Sequence, residues 1–147
     1  MRGLWFGLTW RYDSGLVVVS VPDYATALAL SGDEQQQIGL YCGATFAAAG
    51  APLRSCNSSV FGATRIHIVP AGTYNADTKP SRIAPRNLFD LALGSDAVWK
   101  KERYSVGAKL TVVNLTDKIA LYNFLSSFSG THFVTPRSVQ GEVTFHF

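Results

Sequence analysis

Four stretches of the chain alternate apolar and polar residues with period two. Near the start, Leu4, Phe6, Leu8, Trp10 and Tyr12 fall on one side, and Gly3, Trp5, Gly7, Thr9, Arg11 and Asp13 on the other. That spacing belongs to a β-strand with one apolar face. Phe89, Leu91, Leu93, Ala97 and Trp99 repeat it against Asp90, Ala92, Gly94 and Asp96, with interruptions at Ser95 and Val98. Tyr104, Val106, Ala108, Leu110 and Val112 then oppose Arg103, Ser105, Gly107, Lys109 and Thr111. The chain closes with Val139, Gly141, Val143, Phe145 and Phe147 against Ser138, Gln140, Glu142, Thr144 and His146. The pattern predicts strands at 3–13, 87–99, 103–115 and 137–147, the middle two forming a hairpin around Lys100-Lys101-Glu102. Because alternation fixes register, Phe89, Leu91, Leu93, Tyr104, Val106, Leu110, Val143, Phe145 and Phe147 are expected on one continuous face.

Strand length and loop length then point away from water. The segments run about 10 to 13 residues, twice the usual strand of a soluble domain and close to the about 9 to 11 tilted residues that cross a bilayer. The links alternate as well: 14–86 is very long, the next is three or four residues, and 116–136 is long again. Outer-membrane barrels have this asymmetry, with short periplasmic turns and long outer loops. A structureless loop as long as 14–86 would be out of place inside a compact soluble domain. Within it, Leu16 to Pro22 and Thr64 to Pro70 predict additional strand, and Asp33 to Leu40 a helical turn.

Composition agrees with this picture. Of 147 residues, 47% are hydrophobic and only 16% charged, against roughly 25% charged in soluble domains. The longest nearly uncharged stretch, Ile38 to Leu53, is broken by Gly and Pro and falls short of the about 18 apolar residues of a spanning helix. The opening MRGLWFGLTW passes directly into the first alternation, so a secretory signal is not expected in these residues. The net charge of +3 is scattered, with only Lys100, Lys101 and Arg103 clustered, which gives no footprint for nucleic acid. Cys42 and Cys56 lack a CxxC partner or a nearby histidine, which argues against zinc. They read either as a loop disulfide in an exported protein or as two free thiols in a reducing compartment.

Two motifs carry a family resemblance. Val113-Asn114-Leu115-Thr116-Asp117-Lys118, followed by Leu121-Tyr122-Asn123, resembles the Asn-Leu-Phe-Asp-Lys and Tyr motif near the end of TonB-dependent outer-membrane receptors, with Thr116 where the family has Phe. Thr135-Pro136-Arg137-Ser138-Val139 is similar to the Pro-Arg motif that opens the family's last strand. The resemblance runs from about Ile83 to Phe147, and Leu4 to Gly15 looks like a family strand entering an outer loop. It marks Asn114, Leu115, Asp117, Lys118, Tyr122, Pro136 and Arg137 as motif positions. It also implies that Val139, Val143, Phe145 and the terminal Phe147 form the signal read by the barrel-assembly machinery. The implied fold is all-β: antiparallel transmembrane strands and long outer loops from the C-terminal portion of a plugged barrel of about 22 strands. The implied activity is import of a scarce nutrient, such as a metal chelate or glycan, driven through TonB.

On that reading the partners are outer-membrane lipid, the assembly machinery, and the rest of the barrel and plug in a longer parent, which would contact TonB. The location is the bacterial outer membrane, and no cofactor is expected. No nucleophile elbow, phosphate loop or HExxH helix occurs, so no enzyme activity is expected. His67, His132 and His146 lie far apart in sequence, and His146 reads as a polar residue facing the barrel interior. Asp90 and Asp96 would stand about 20 Å apart along a strand, too far for an acid/base pair. Tyr122, Phe124, Phe128, His132 and Phe133 are the candidates for substrate contact, against an aromatic girdle or loop packing. Asn57-Ser58-Ser59 and Asn114-Leu115-Thr116 match glycosylation sequons, which carry no weight in a bacterial barrel. The rival reading is a secreted or cell-surface β-sandwich binding module, in which the apolar faces pack on one another.

In the longer parent, Phe147→Asp should cut the amount of membrane-inserted protein severely. A charge near the lipid interface costs only about 0–1 kcal/mol, so a large loss means a lost assembly signal. Heat-dependent gel mobility and surface protease access report it, and full insertion of the variant would refute the assembly role.

Overall fold

The computed structural model describes residues 2–147. In chain order its elements are β1 (Arg2–Asp13), α1 (Tyr24–Ala29), α2 (Gly32–Ile38), β2 (Leu40–Cys42), β3 (Thr45–Phe46), β4 (Phe61–Ala63), β5 (Ile66–His67) and β6 (Arg82–Ile83). Then come β7 (Arg86–Lys101), β8 (Tyr104–Val113), β9 (Leu121–Ser126), β10 (Gly130–Phe133) and β11 (Ser138–His146). The chain is mostly β, with 50% of residues in strands and 9% in helices. No helix among the described residues is long and apolar enough to cross a membrane. Two units divide the chain: 1–13, 87–119 and 135–147 make the first, and 14–86 with 120–134 the second.

The first unit is a single four-stranded sheet of order β1-β7-β8-β11, and it does not close into a barrel. Its strands cover 12, 16, 10 and 9 residues, lying close to the expected segments. β8 ends two residues earlier than expected, because Asn114 turns to φ +51 and leaves the extended region. β8 and β11 pair antiparallel without a break, setting Val139, Gly141, Val143 and Phe145 opposite Val112, Leu110, Ala108 and Val106. Opposed residues share a face, so Phe145 and Leu110 lie on the same side. Across β7, Leu91 and Leu93 oppose Val112 and Leu110, then Trp99 opposes Val106. Between Ser95 and Trp99 four steps of β7 meet two of β8, a bulge that accounts for the interrupted alternation there. The bulge adds an even number of residues, so the apolar face continues through it. The two-residue turn Glu102-Arg103 closes the hairpin after the Lys101–Tyr104 pair.

The second unit holds nearly all of the buried core. Val18, Val21, Ala27, Ile38, Leu40, Ala47, Ile66, Ile68, Ile83, Leu121 and Phe124 form one cluster. Its helices are too short to persist on propensity and rely on caps and packing. Asp23 caps α1 by accepting from the Thr26 backbone N–H at 2.8 Å, and that bond, joined by the Thr26 hydroxyl, holds its carboxyl below the ordinary value of 3.8. Ser31 and Glu34 form a reciprocal capping box on α2, which ends at Gly39 with φ +66. Behind α2, the buried Gln35 amide donates to the carbonyls of Leu53 (2.9 Å), Leu28 (3.1 Å) and Ala27 (3.2 Å) and accepts from the Leu53 N–H (2.7 Å). One side chain thereby ties α1, α2 and the 47–53 loop together. Cys42 and Cys56 form a disulfide with Cα atoms 5.7 Å apart, a loop closure that contributes roughly 3 kcal/mol.

Several expectations for the connecting segments are corrected here. Leu16–Pro22 is not a strand: only Val17 makes a bridge, to Arg82. Thr64–Pro70 contributes only the two residues of β5, while the Thr64 and Arg65 N–H groups donate to the Gly39 and Ile38 carbonyls. The helical turn near Asp33 is present as α2, while α1 was not expected. The 116–136 link is not a plain loop, since β9 and β10 form a hairpin within it.

Replacing Gln35 by Leu should destabilise this unit by about 1–3 kcal/mol, because the Leu53 N–H is left buried without an acceptor. Chemical denaturation of the oxidised protein measures it. Asp23→Ala should cost about 0.5–2 kcal/mol. Since the folded pKa lies below the unfolded one, this cap's contribution is complete above pH 4 or so and fades as pH falls through the lowered value. A stability difference between the unaltered protein and the Asp23→Ala variant that persists unchanged at pH 2 would contradict it.

Candidate functional site

Each strand of the first unit sorts its chemistry onto two faces. On one, Leu4, Phe6, Leu8, Trp10 and Tyr12 of β1, Leu93 and Trp99 of β7, Tyr104 and Leu110 of β8, and Val139, Val143 and Phe145 of β11 are all exposed. Phe6 at 76% and Phe145 at 67% decide the point: this is no core face. Soluble monomers rarely leave so continuous an apolar surface open. The other face carries polar pairs. Arg11 binds Asp90 at 3.1 Å, and Lys109 faces Glu142 across the β8–β11 ladder at 3.5 Å. Thr111 stands opposite Gln140, and Ser105 opposite His146. Trp5 lies on this side with its indole ring against Gly94, and any Cβ at position 94 would strike that ring.

The motif residues meet at the end of the sheet where β8 leaves and β11 enters. Asn114 is buried, with φ +51, and its amide donates to the carbonyls of Lys118 (3.0 Å) and Thr135 (2.9 Å) while accepting from the Lys118 N–H (2.9 Å). Its own backbone N–H donates to Asp90 at 2.8 Å. Asp90 therefore joins Arg11 of β1 to the turn after β8. Asp117, also in the left-handed region, pairs with Arg137 at 3.4 Å and accepts from its backbone N–H at 3.3 Å. Asn114, Asp117, Lys118 and Arg137 thus build one knot that stitches the start of β11 to the end of β8. Leu115 is exposed, its N–H bonded to the Phe89 carbonyl, and Pro136 precedes Arg137 in the short link between β10 and β11. Tyr122 belongs to the second unit, where the Arg86 guanidinium lies 5.5 Å from its ring centre.

The candidates for substrate contact do not converge. Phe124 is a core residue, buried because the β9–β10 hairpin turns it inward. Phe133 is half-exposed and meets Arg65 at 6.0 Å, while the His132 ring bonds the Ser129 carbonyl. Phe128, at the hairpin tip, is fully exposed. Neither cation–π partner was legible beforehand, because Arg65 and Arg86 lie 68 and 36 positions from the rings they meet. Among the described residues no group of three or more His, Cys, Asp or Glu could hold a metal. Asp90 and Asp96 share the polar face without meeting; Asp90 serves Arg11 and Asn114 instead.

Comparison with known protein families, curated proteins and solved structures finds no match to this chain.

Asn114→Ala should destabilise the sheet by about 1–3 kcal/mol from unmet hydrogen bonds, with a further 1–2 or so from the left-handed backbone. Asn114→Gly removes the same bonds without the backbone strain and should cost less. Asp117→Asn, at an exposed ion pair, should change stability by less than about 1 kcal/mol. Urea titrations followed by tryptophan fluorescence rank the three, and the glycine variant falling below the alanine variant would contradict the assigned strain.

Proposed function

We propose that this chain is the C-terminal portion of a TonB-dependent outer-membrane receptor, contributing four membrane strands and two outer excursions to a large barrel that imports a scarce nutrient. The observation that carries the reading is the two-faced sheet of the first unit. Its apolar side is exposed along all four strands and its polar side is lined with charges, hydroxyls and amides. A barrel wall between lipid and a watery interior needs both faces in this form. A β-sandwich would instead pack its apolar side on a second sheet.

The connections support the same reading. The β7–β8 turn takes two residues, whereas the chain leaves the opposite end of the sheet for 14–86 and 120–134. Trp99 and Phe145 lie in register with Val106 beside the short turn, with Lys100, Lys101 and Arg103 adjoining. Aromatic rings and basic groups at that level suit the inner lipid interface. Among the described residues β1 and β11 stand at the edges of the sheet, and lipid does not tolerate open edges, so further strands of the parent would cover them. The nutrient's identity depends on outer loops and plug beyond these four strands. The chain's role is to complete the wall and carry loops, with no chemistry of its own.

In the longer parent, Leu110→Arg should reduce the stability of the inserted barrel by about 2–4 kcal/mol, since this face meets lipid near mid-membrane. Lys109→Ala, one residue away on the polar face, should cost less than about 1 kcal/mol. Urea titration in phospholipid vesicles, read by heat-dependent gel mobility, measures both. Equal effects would overturn the assignment of faces, and stable monodisperse folding of the 147-residue chain in detergent-free water would favour the sandwich.

A further inference from the structure

The second unit contains an open groove of about 470 Å³ between the 16–20 segment and the β9–β10 hairpin. Leu16, Val17, Val19 and Ser20 form one wall; Asn123 to Phe128 form the other. No residue lining it carries a charge. Three features of this groove are unused by the fold. The first is backbone. Ile83 N–H donates to the Leu16 carbonyl and Val18 N–H to the Ser81 carbonyl, both at 2.8 Å, and these bonds bracket the Val17–Arg82 bridge. In such an antiparallel pair the N–H and C=O of Val17 turn to the opposite edge of the segment. There they meet no partner among the described residues.

The second feature is side-chain polarity. Ser20 Oγ and Asn123 Oδ1 are both buried without a hydrogen-bond partner, one from each wall of the groove. Buried polar atoms are nearly always satisfied, so two orphans at the walls of one groove are unmet hydrogen-bonding capacity that the fold itself leaves unused. The third is apolar surface. Val19 and the fully exposed Phe128 stand on opposite walls, a valine and an aromatic ring open to whatever enters.

We propose that this groove binds an extended, uncharged peptide, which adds as a strand along the Val17 edge. A donor and acceptor on one residue of an extended edge match the alternating amides of a second strand, and main-chain bonding of this kind supplies affinity while side pockets select residues. The absence of charge disfavours anionic chelates and acidic or basic peptides, whose desolvated charges would find no counter-ion. A neutral sugar shares the lack of charge but offers hydroxyls without the amide spacing of a strand. The inference stands on the second unit alone and holds whether or not the first unit faces lipid.

The test uses the full 147-residue chain, oxidised, in detergent micelles that cover the exposed apolar face. The probe is a library of acetylated, amidated six-residue peptides built from Val, Leu, Thr, Ser and Asn, screened for binding by fluorescence anisotropy. Members should bind with a Kd below about 1 mM, and N-methylating one alternate set of their amides should weaken binding about tenfold or more, while the other set has little effect. Val17→Pro deletes the open-edge N–H without touching either ladder bond and should weaken binding by a similar factor. Ser20→Ala removes an orphan hydroxyl and should weaken binding severalfold without loss of thermal stability. Maltoheptaose, as the neutral sugar, should not bind. Absence of any binder at that concentration, indifference to N-methylation at every position, or binding of maltoheptaose alone would each overturn the proposal. Peptide binding by this chain, together with failure of its longer parent to insert in membranes, would leave the proposal standing and remove the receptor reading.

Discussion

A strand shows alternate side chains to opposite sides, and the first unit depends on the unbroken register between β8 and β11. Nine consecutive pairs, Ser138–Val113 to His146–Ser105, fix which residues share a side. A slip of one residue would throw Val139, Val143 and Phe145 among Lys109 and Thr111 and bring Glu142 among the leucines and valines. β7 keeps the same phase despite its bulge because the insertion is even. The two faces of the sheet, one apolar and one polar, are consequences of that register. They need no buried core, and Leu88 is the first unit's only buried large apolar residue among those described.

The knot around Asn114 protects this register at its most exposed point. β11 is joined to β8 through a long excursion, and nothing in the chain's connectivity alone would bring Ser138 opposite Val113. Hydrogen bonds from the Asn114 amide to both Lys118 and Thr135, with Asp117 gripping Arg137, fix the entry of β11 before the ladder begins. Asn114, Asp117 and Arg137 therefore position the last strand pair. Asp90 extends the same network to Arg11 and so to β1, which links all four strands at one end of the sheet.

The second unit obeys a different rule. It folds around a cluster of aliphatic side chains, with two capped helices, a disulfide and the multiply bonded Gln35 amide holding short elements that could not persist singly. Excursions from a strand are usually mobile and polar. This one keeps an ordered core, which leaves its surface groups, the Val17 edge among them, in defined places.

The sequence by itself determined the four long strands, their facing, the tight basic turn and the closeness in the chain of two cysteines 14 positions apart, because each of these is local in the chain. The capping box at Ser31 and Glu34 belongs to the same class and marks α2 within the stretch expected to be helical. What only the tertiary structure decided is long-range. Phe124 reads as one of several loop aromatics, yet it is buried in a cluster that draws Val18, Ile66 and Ile83 from distant segments. Leu16–Pro22 has the composition of a strand but lacks a continuous partner, so its apolar residues divide between core and groove. Arg86, Gln35 and Asn114 take their roles from carbonyls up to 35 positions away, and no period in the sequence reports such distances. Alternation is a property of the backbone of each strand; burial is a property of what the rest of the chain brings against it.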